Sequence, residues 1–139
     1  DRMPVSMWQL ADQKIFYTMP DFGHGVKIGW HHNGRVVDPD VTEREASAGD
    51  SADAAALLGR FLPDARGVER ESAVCFYTNT PDGHFIVDRH PHSERVWIVS
   101  ACSGHGFKFA PAIGEMLAEL AAGRTPTCDP AAFRLARLG

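Results

Sequence analysis

The feature that most constrains this chain is a short glycine turn, Ser103-Gly104-His105-Gly106-Phe107-Lys108-Phe109. The apolar run Val96-Trp97-Ile98-Val99-Ser100-Ala101 leads into it, and Ile113, Met116, Leu117 and Leu120 recur at helical spacing on the way out. A near-continuous apolar run reads as a buried strand. Apolar residues three and four apart read as one face of a helix. The stretch between them is therefore a tight strand-to-helix turn. Glycine lets a backbone pass close to a ligand, and the unpaired N–H groups that open a helix attract anions or carbonyl oxygens. A flat, electron-rich ligand suits such a turn.

Gly104-His105-Gly106-Phe107-Lys108-Phe109 nearly matches the dinucleotide fingerprint GxGxxG, in the right strand-turn-helix context. Two features oppose that reading. Phe109 stands where a small residue should allow close helix–strand packing. Only residues 124–139 follow the helix, too few for the rest of a βαβ unit. Lys108 works against the dipole of the helix it precedes, a cost that a neighbouring anion would offset.

The chain in order reads as α+β, with strands in antiparallel-type pairs and two helices inserted rather than alternating. Residues around Trp8 and residues 13–19 have strand composition. Pro20-Asp21-Phe22-Gly23 is a turn, and 25–31 returns as the second arm of a hairpin. Alternation there puts Lys27 and His31 on one face and Val26, Ile28 and Trp30 on the other. Residues 36–48 read as a charged loop. Asp50-Ser51 caps a helix over 52–62 that Pro63 ends. A strand over 72–78 would place Cys75 beside Tyr77, opposite Val74 and Phe76. Thr80-Pro81-Asp82-Gly83 is a turn, 84–88 a strand, 89–93 a loop and 96–101 a buried strand. The last helix opens at Pro111 and stops at Gly123. In the irregular tail Phe133 and Leu135 pack.

With 139 residues the chain has room for one core. A net charge of −4 argues against nucleic acid or an anionic membrane as partner. Three widely spaced cysteines fit free thiols in a reducing compartment. Asp1-Arg2-Met3-Pro4 does not read as a signal peptide and no run approaches a membrane span, so a cytoplasmic location is expected. Lys27 and Lys108 each have two readings: a solvated surface lysine, or a cation held over an anionic or redox centre. Cys75 is either strand filler or a nucleophile in a cationic setting. The seven histidines include His31-His32 and His90-Pro91-His92, yet no ligand quartet completes a metal site, so no metal is expected. No GxSxG elbow is present.

Four motifs in order carry a resemblance that no single one would. Cys75-Phe76-Tyr77-Thr78-Asn79-Thr80-Pro81-Asp82, Phe85-Ile86-Val87-Asp88-Arg89-His90-Pro91, the glycine turn, and Phe133-Arg134-Leu135-Ala136-Arg137 together resemble the C-terminal part of the monomeric sarcosine oxidase family, which includes N-methyl-tryptophan oxidase and pipecolate oxidase. Val26-Lys27-Ile28-Gly29-Trp30-His31 resembles that family's lysine-bearing strand. The resemblance implies FAD-dependent oxidation of the C–N bond of a secondary amino acid, with O₂ reoxidising the flavin to give hydrogen peroxide. By position, it implies that Cys75 forms the flavin thioether, Lys27 activates oxygen and Lys108 clamps the substrate carboxylate. His31, Tyr77 and His105 would lie near flavin and substrate, and Gly104, Gly106 and Phe107 would present backbone to the ring. It further implies a mostly antiparallel substrate-domain portion over 1–95 and, over 96–139, the last strand, glycine turn and C-terminal helix of an FAD-binding domain. The GxGxxG that holds the ADP half of FAD is not in this chain. An N-terminal FAD-binding portion, of the same protein or a separate chain, would be its partner, and the fragment alone would be inactive. The alternatives are a non-catalytic interaction domain, or an oxidase of glycated or cyclic amino acids.

Overall fold

The computed structural model describes residues 3–42 and 44–139. They form two compact units, Asp1–Phe76 and Tyr77–Gly139. With two helices and two antiparallel sheets, the chain is α+β.

The first unit is a three-stranded meander: β1 (Ser6–Gln9), β2 (Ile15–Met19) and β3 (Lys27–His31), in spatial order β1-β2-β3. Register aligns Trp8 with Phe16 and Phe16 with Trp30. Strand alternation therefore gathers three large rings on one face. Trp8 stacks parallel on Phe16 at 5.7 Å, and Trp30 meets Phe16 edge-on at 6.1 Å. Helix α1 (Ala48–Phe61) covers this face with Leu57 and Phe61, whose ring sits 5.2 Å from Phe16 and 5.6 Å from Trp8. Phe16 and Thr18 are completely buried there. Trp30 Nε1 donates to Asp53 Oδ2 of α1 at 2.7 Å, tying helix to sheet. Burying a side chain of the size of Phe16 is worth about 1.5–3 kcal/mol.

Helix α1 starts one turn earlier than the sequence reading had it. Ser47 is the N-cap: its hydroxyl accepts from the Asp50 amide at 3.2 Å, while Asp50 Oδ2 accepts from the Ser47 amide at 2.8 Å. This reciprocal box satisfies two orphan donors at once, which Asp50-Ser51 acting as the cap could not. The Ser47 hydroxyl and amide hold the Asp50 carboxyl below the usual carboxylate range. The loop over 36–48 is free of helix and strand in the described residues up to Ser47, with Glu43 outside them.

The second unit is a hairpin, β4 (Ile86–His90) and β5 (Ser93–Ser100), against helix α2 (Ala110–Ala121). Phe85, Val87, Ile113 and Met116 form its core, with Leu117, Leu120, Ala101 and Phe133 packed around them. The expected apolar face of α2 is thus the face that packs. Pro111 lies in the first turn. Gly123, at φ +70°, closes the last turn, where Arg124 N donates to Glu119 O at 2.9 Å.

Three sequence expectations fail. The loop expected over 89–93 shrinks to the turn Pro91-His92, because Arg89 and His90 belong to β4 and Ser93 opens β5. Residues 72–78 do not form a strand. The stretch is extended in its burial rhythm, with Val74 and Phe76 half-buried and Cys75 and Tyr77 exposed. A ladder needs a neighbouring strand, whereas here Val74 N donates to Arg44 O and Thr78 O accepts from Ser103 N. The run 96–101 is a strand through Ser100 but not a buried one: Val96 is 46% and Val99 41% exposed. Continuous hydrophobicity marks a strand flanked on both edges and covered on both faces, whereas among the described residues β5 pairs with β4 alone.

Candidate active site

In the first unit the candidate surface is the sheet face turned away from α1. Alternation assigns to it Lys27, Gly29 and His31 of β3, with Met19, Tyr17 and Ile15 of β2 as their cross-strand partners. Tyr17 lies flat across Gly29: a Cβ added at Gly29 would stand 2.7 Å from the phenol oxygen and 2.8 Å from its ring carbon. Glycine at 29 is therefore what lets the ring lie down on the sheet, and sequence reading passed over both residues. The Lys27 ammonium is exposed and sits 5.8 Å from the Tyr17 ring centroid. That cation–π contact leaves the charge available, and among the described residues no carboxylate pairs with it. The turn ahead of Lys27 is held by Asp21, whose Oδ1 accepts from Gly23 N at 2.6 Å and Gly25 N at 2.8 Å. These amides, Gly25 first, lower the Asp21 pKa.

His31 ends β3, with the His32 ring edge-on at 4.3 Å. A groove of about 320 Å³ runs past His31 and His32 to the Asp12–Lys14 corner. His32 (φ +55°) and Gln13 (φ +68°) sit in the left-handed region. Cys75 is an exposed free thiol one residue from Phe76, over which Arg44 stacks at 4.6 Å. An exposed thiol on an extended segment is accessible to an electrophile.

In the second unit the glycine turn is built as a lock on the Thr80–Gly83 turn. Ser103 is 1% exposed and adopts φ +48°. Its amide donates to Thr78 O at 2.9 Å, its hydroxyl accepts from Thr80 N at 3.3 Å, and the same hydroxyl lies 3.3 Å from His84 O. Gly104 takes φ +74°. His105 Nε2 is 3.0 Å from Gly83 O, so that nitrogen carries the proton, and its ring packs on Phe85 at 4.9 Å. Gly106 is buried with an ordinary φ of −78°; a Cβ there would overlap the Ala101 carbonyl. The chain's own backbone thus fills the space beside Gly106. A short 3-10 turn, Phe107–Phe109, then carries Phe107 (97% exposed) and Lys108, also exposed, its ammonium 5.3 Å from the Phe109 ring. Tyr77 is 36% exposed.

The structure therefore brings together Lys27 and His31 on one sheet face of the first unit. It brings together Gly104, His105, Gly106, Phe107 and Lys108 on one loop of the second. Cys75 is the next-to-last residue of the first unit and Tyr77 opens the second. Sequence reading missed Ser103, Tyr17, Asp82 and Arg137 as organising residues. Ser103 could have been suspected from its place directly before the first glycine of the turn. The other three act through contacts between residues far apart in the chain, which no local pattern announces.

A profile of the FAD dependent oxidoreductase (DAO) family matches residues 1–120. The chain is 44% identical over 130 residues to a monomeric sarcosine oxidase of Bacillus sp. strain NS-129, covering 91% of this chain and 34% of that protein. It is 43% identical over 110 residues to the monomeric sarcosine oxidase of Arthrobacter sp. strain TE1826, covering 77% of this chain and 28% of the relative. It is 36% identical over 139 residues to an N-methyl-L-tryptophan oxidase of Salmonella newport, covering 99% of this chain and 37% of the relative. The chain thus spans about a third of the length of these curated relatives. With most of its length matched, and a glycine turn and lysine-bearing strand in the order the motifs led one to expect, the chain belongs to the FAD dependent oxidoreductase family.

Proposed function

We propose that this chain is part of an FAD-dependent oxidase that oxidises the C–N bond of a secondary (N-methyl) amino acid such as sarcosine, giving an imine and hydrogen peroxide. The observation that carries the reading is the exposed, unbridged thiol of Cys75 in the motif Cys75-Phe76-Tyr77-Thr78-Asn79. The relatives named as sarcosine and N-methyl-tryptophan oxidases support the substrate class.

The residues present fit a flavin by the chemistry of their donors: one accessible thiol, and two exposed ammonium groups that no carboxylate pairs with among the described residues. When bound, FAD would supply the two-electron acceptor that links amine oxidation to O₂. Cys75 is the residue that would hold it covalently, and Tyr77, Gly104, Gly106 and Phe107 would bound its site. Lys27 places a fixed positive charge where oxygen reduction develops negative charge. Lys108 offers a cation to the substrate carboxylate. His31 and His105 supply imidazoles for positioning and proton movement. In the whole protein, residues 1–95 belong to the substrate domain and 96–139 to the FAD-binding domain, although strand β5 itself runs through position 96. The remaining FAD-binding portion lies in the same protein or a partner chain, and the protein works in the cytoplasm. Among the described residues no helix is long and apolar enough to cross a membrane.

The test is reconstitution. The chain is coexpressed with the complementary portion of a sarcosine oxidase relative and FAD, then precipitated with acid. Yellow, fluorescent flavin should remain on this chain's band in a denaturing gel and vanish in Cys75→Ala. Flavin that washes away from the native-sequence chain would remove Cys75 from its role. Hydrogen peroxide release on adding sarcosine tests the substrate class separately.

A further inference from the structure

The C-terminal segment reaches the glycine turn through a single reverse turn. Arg137 Nε donates to Asp82 Oδ2 at 2.7 Å and Nη2 to Oδ1 at 3.2 Å, a forked pair joining residues 55 positions apart. Both side chains are largely shielded, at 19% and 33% exposure. Arg137 Nη1 also donates to Arg134 O at 2.9 Å, so the guanidinium is braced from behind. The Asp82 carboxylate in turn closes the reverse turn, with Oδ1 accepting from His84 N at 3.1 Å and lying 2.9 Å from the Thr80 hydroxyl. The same turn is what the glycine loop grips, through Ser103 on Thr80 and His105 on the Gly83 carbonyl. Phe85, two residues after it, carries the rings of His105, Phe109 and Phe133 at 4.9, 5.5 and 5.7 Å. Leu135 N adds a second tie, to Asp88 Oδ2 at 2.8 Å.

We propose that Arg137 is a positioning residue for the candidate active-site loop: by clamping Asp82 it fixes the Gly83 carbonyl, which sets the orientation and tautomer of His105. The function of that orientation rests on the oxidase reading; the positioning itself does not. A bidentate fork suits this task because it fixes the carboxylate's angle as well as its place, whereas a lysine ammonium would fix only its place. With Nε2–H committed to Gly83 O, the neutral His105 ring has Nδ1 as its acceptor. The C-terminal motif Phe133-Arg134-Leu135-Ala136-Arg137 thereby gains a role: Phe133 packs behind the loop and Arg137 holds its abutment.

The experiment uses the 139-residue chain without flavin, so a failed flavin assignment leaves its outcome intact. Arg137→Gln, the near-isosteric Asp82→Asn and the double variant are compared by NMR. The His105 ring nitrogens report the tautomer, and hydrogen exchange reports the Ser103 and Val87 amides. In each single variant the His105 ring should pass from one tautomer to a mixture. Ser103 should exchange about tenfold faster or more, while Val87 in the β4–β5 ladder stays within about twofold. The double variant should match the singles, because either change opens the same clamp. An unchanged His105 tautomer in both single variants would overturn the proposal. So would a change that tracks Val87 exchange, since Arg137 would then merely stabilise the unit.

Discussion

Replacing Gly106 by alanine tests whether the glycine turn is shaped by the chain itself. The φ of Gly106 is −78°, a value any residue adopts, so there is no dihedral penalty. On backbone freedom alone the change would stabilise by about 0.4–1 kcal/mol, through the less flexible unfolded chain. The packing term opposes it. The added methyl would overlap the Ala101 carbonyl oxygen, stand 2.6 Å from the carbonyl carbon and 3.2 Å from Cys102 N. All three are backbone atoms, so no rotamer change relieves the clash, and the cost falls at the upper end of the range of about 1–3 kcal/mol for overpacking. The net destabilisation is about 2 kcal/mol, which raises the opening equilibrium about 30-fold at about 1.4 kcal/mol per factor of ten. Amide exchange at Val87, Ile113 and Met116 should speed by about that factor, while Phe16 and Thr18 of the other unit hold their rates. Gly114→Ala is the matched control. Nothing lies within 4 Å of its added methyl in the middle of α2, so the same amides should slow by about two- to fivefold. Unchanged exchange in Gly106→Ala would refute the reasoning, because the turn would then yield without cost. Equal loss in both units would refute it too.

Ser47→Ala removes the α1 capping box and should cost the first unit about 1 kcal/mol, seen as about fivefold faster exchange at Phe16 and Thr18 with Val87 unaffected. Asp82 is held well below the usual carboxylate range, first by Arg137 and also by the His84 amide and Thr80 hydroxyl. Its depressed pKa contributes stability that is full above the ordinary aspartate value and lost as pH falls from there toward the folded value. Ser103 protection, corrected for intrinsic exchange, should therefore decline below about pH 4 in the native sequence and far less in Asp82→Asn. In the reconstituted oxidase Lys27→Met should slow the oxygen half-reaction about tenfold or more, with a much smaller effect on the amine half-reaction, read by stopped-flow absorbance; equal slowing would count against an oxygen role.

Strand and helix periodicities gave most of the elements. Alternation at 26–31 put Lys27 and His31 on one face, and the structure keeps them there with α1 on the other side. The apolar spacing of Ile113, Met116, Leu117 and Leu120 became the packed face of α2. These patterns are legible because burial selects side chains at the period of the element itself. Two of the failures share a cause. Residues 72–78 and 96–101 carry the composition of central strands, yet composition reports what a segment tolerates on its edges and faces, not which neighbours it meets in these units.

The sequence by itself determined the α+β class, the turns and the family resemblance, since each depends on residues near one another in the chain. Only the tertiary structure decided how the candidate site is held. Tyr17 lying over Gly29, Ser103 buried between two turns, and Arg137 reaching Asp82 are contacts between distant positions. Their worth comes from desolvation and geometry, which exist only once the chain has closed around them.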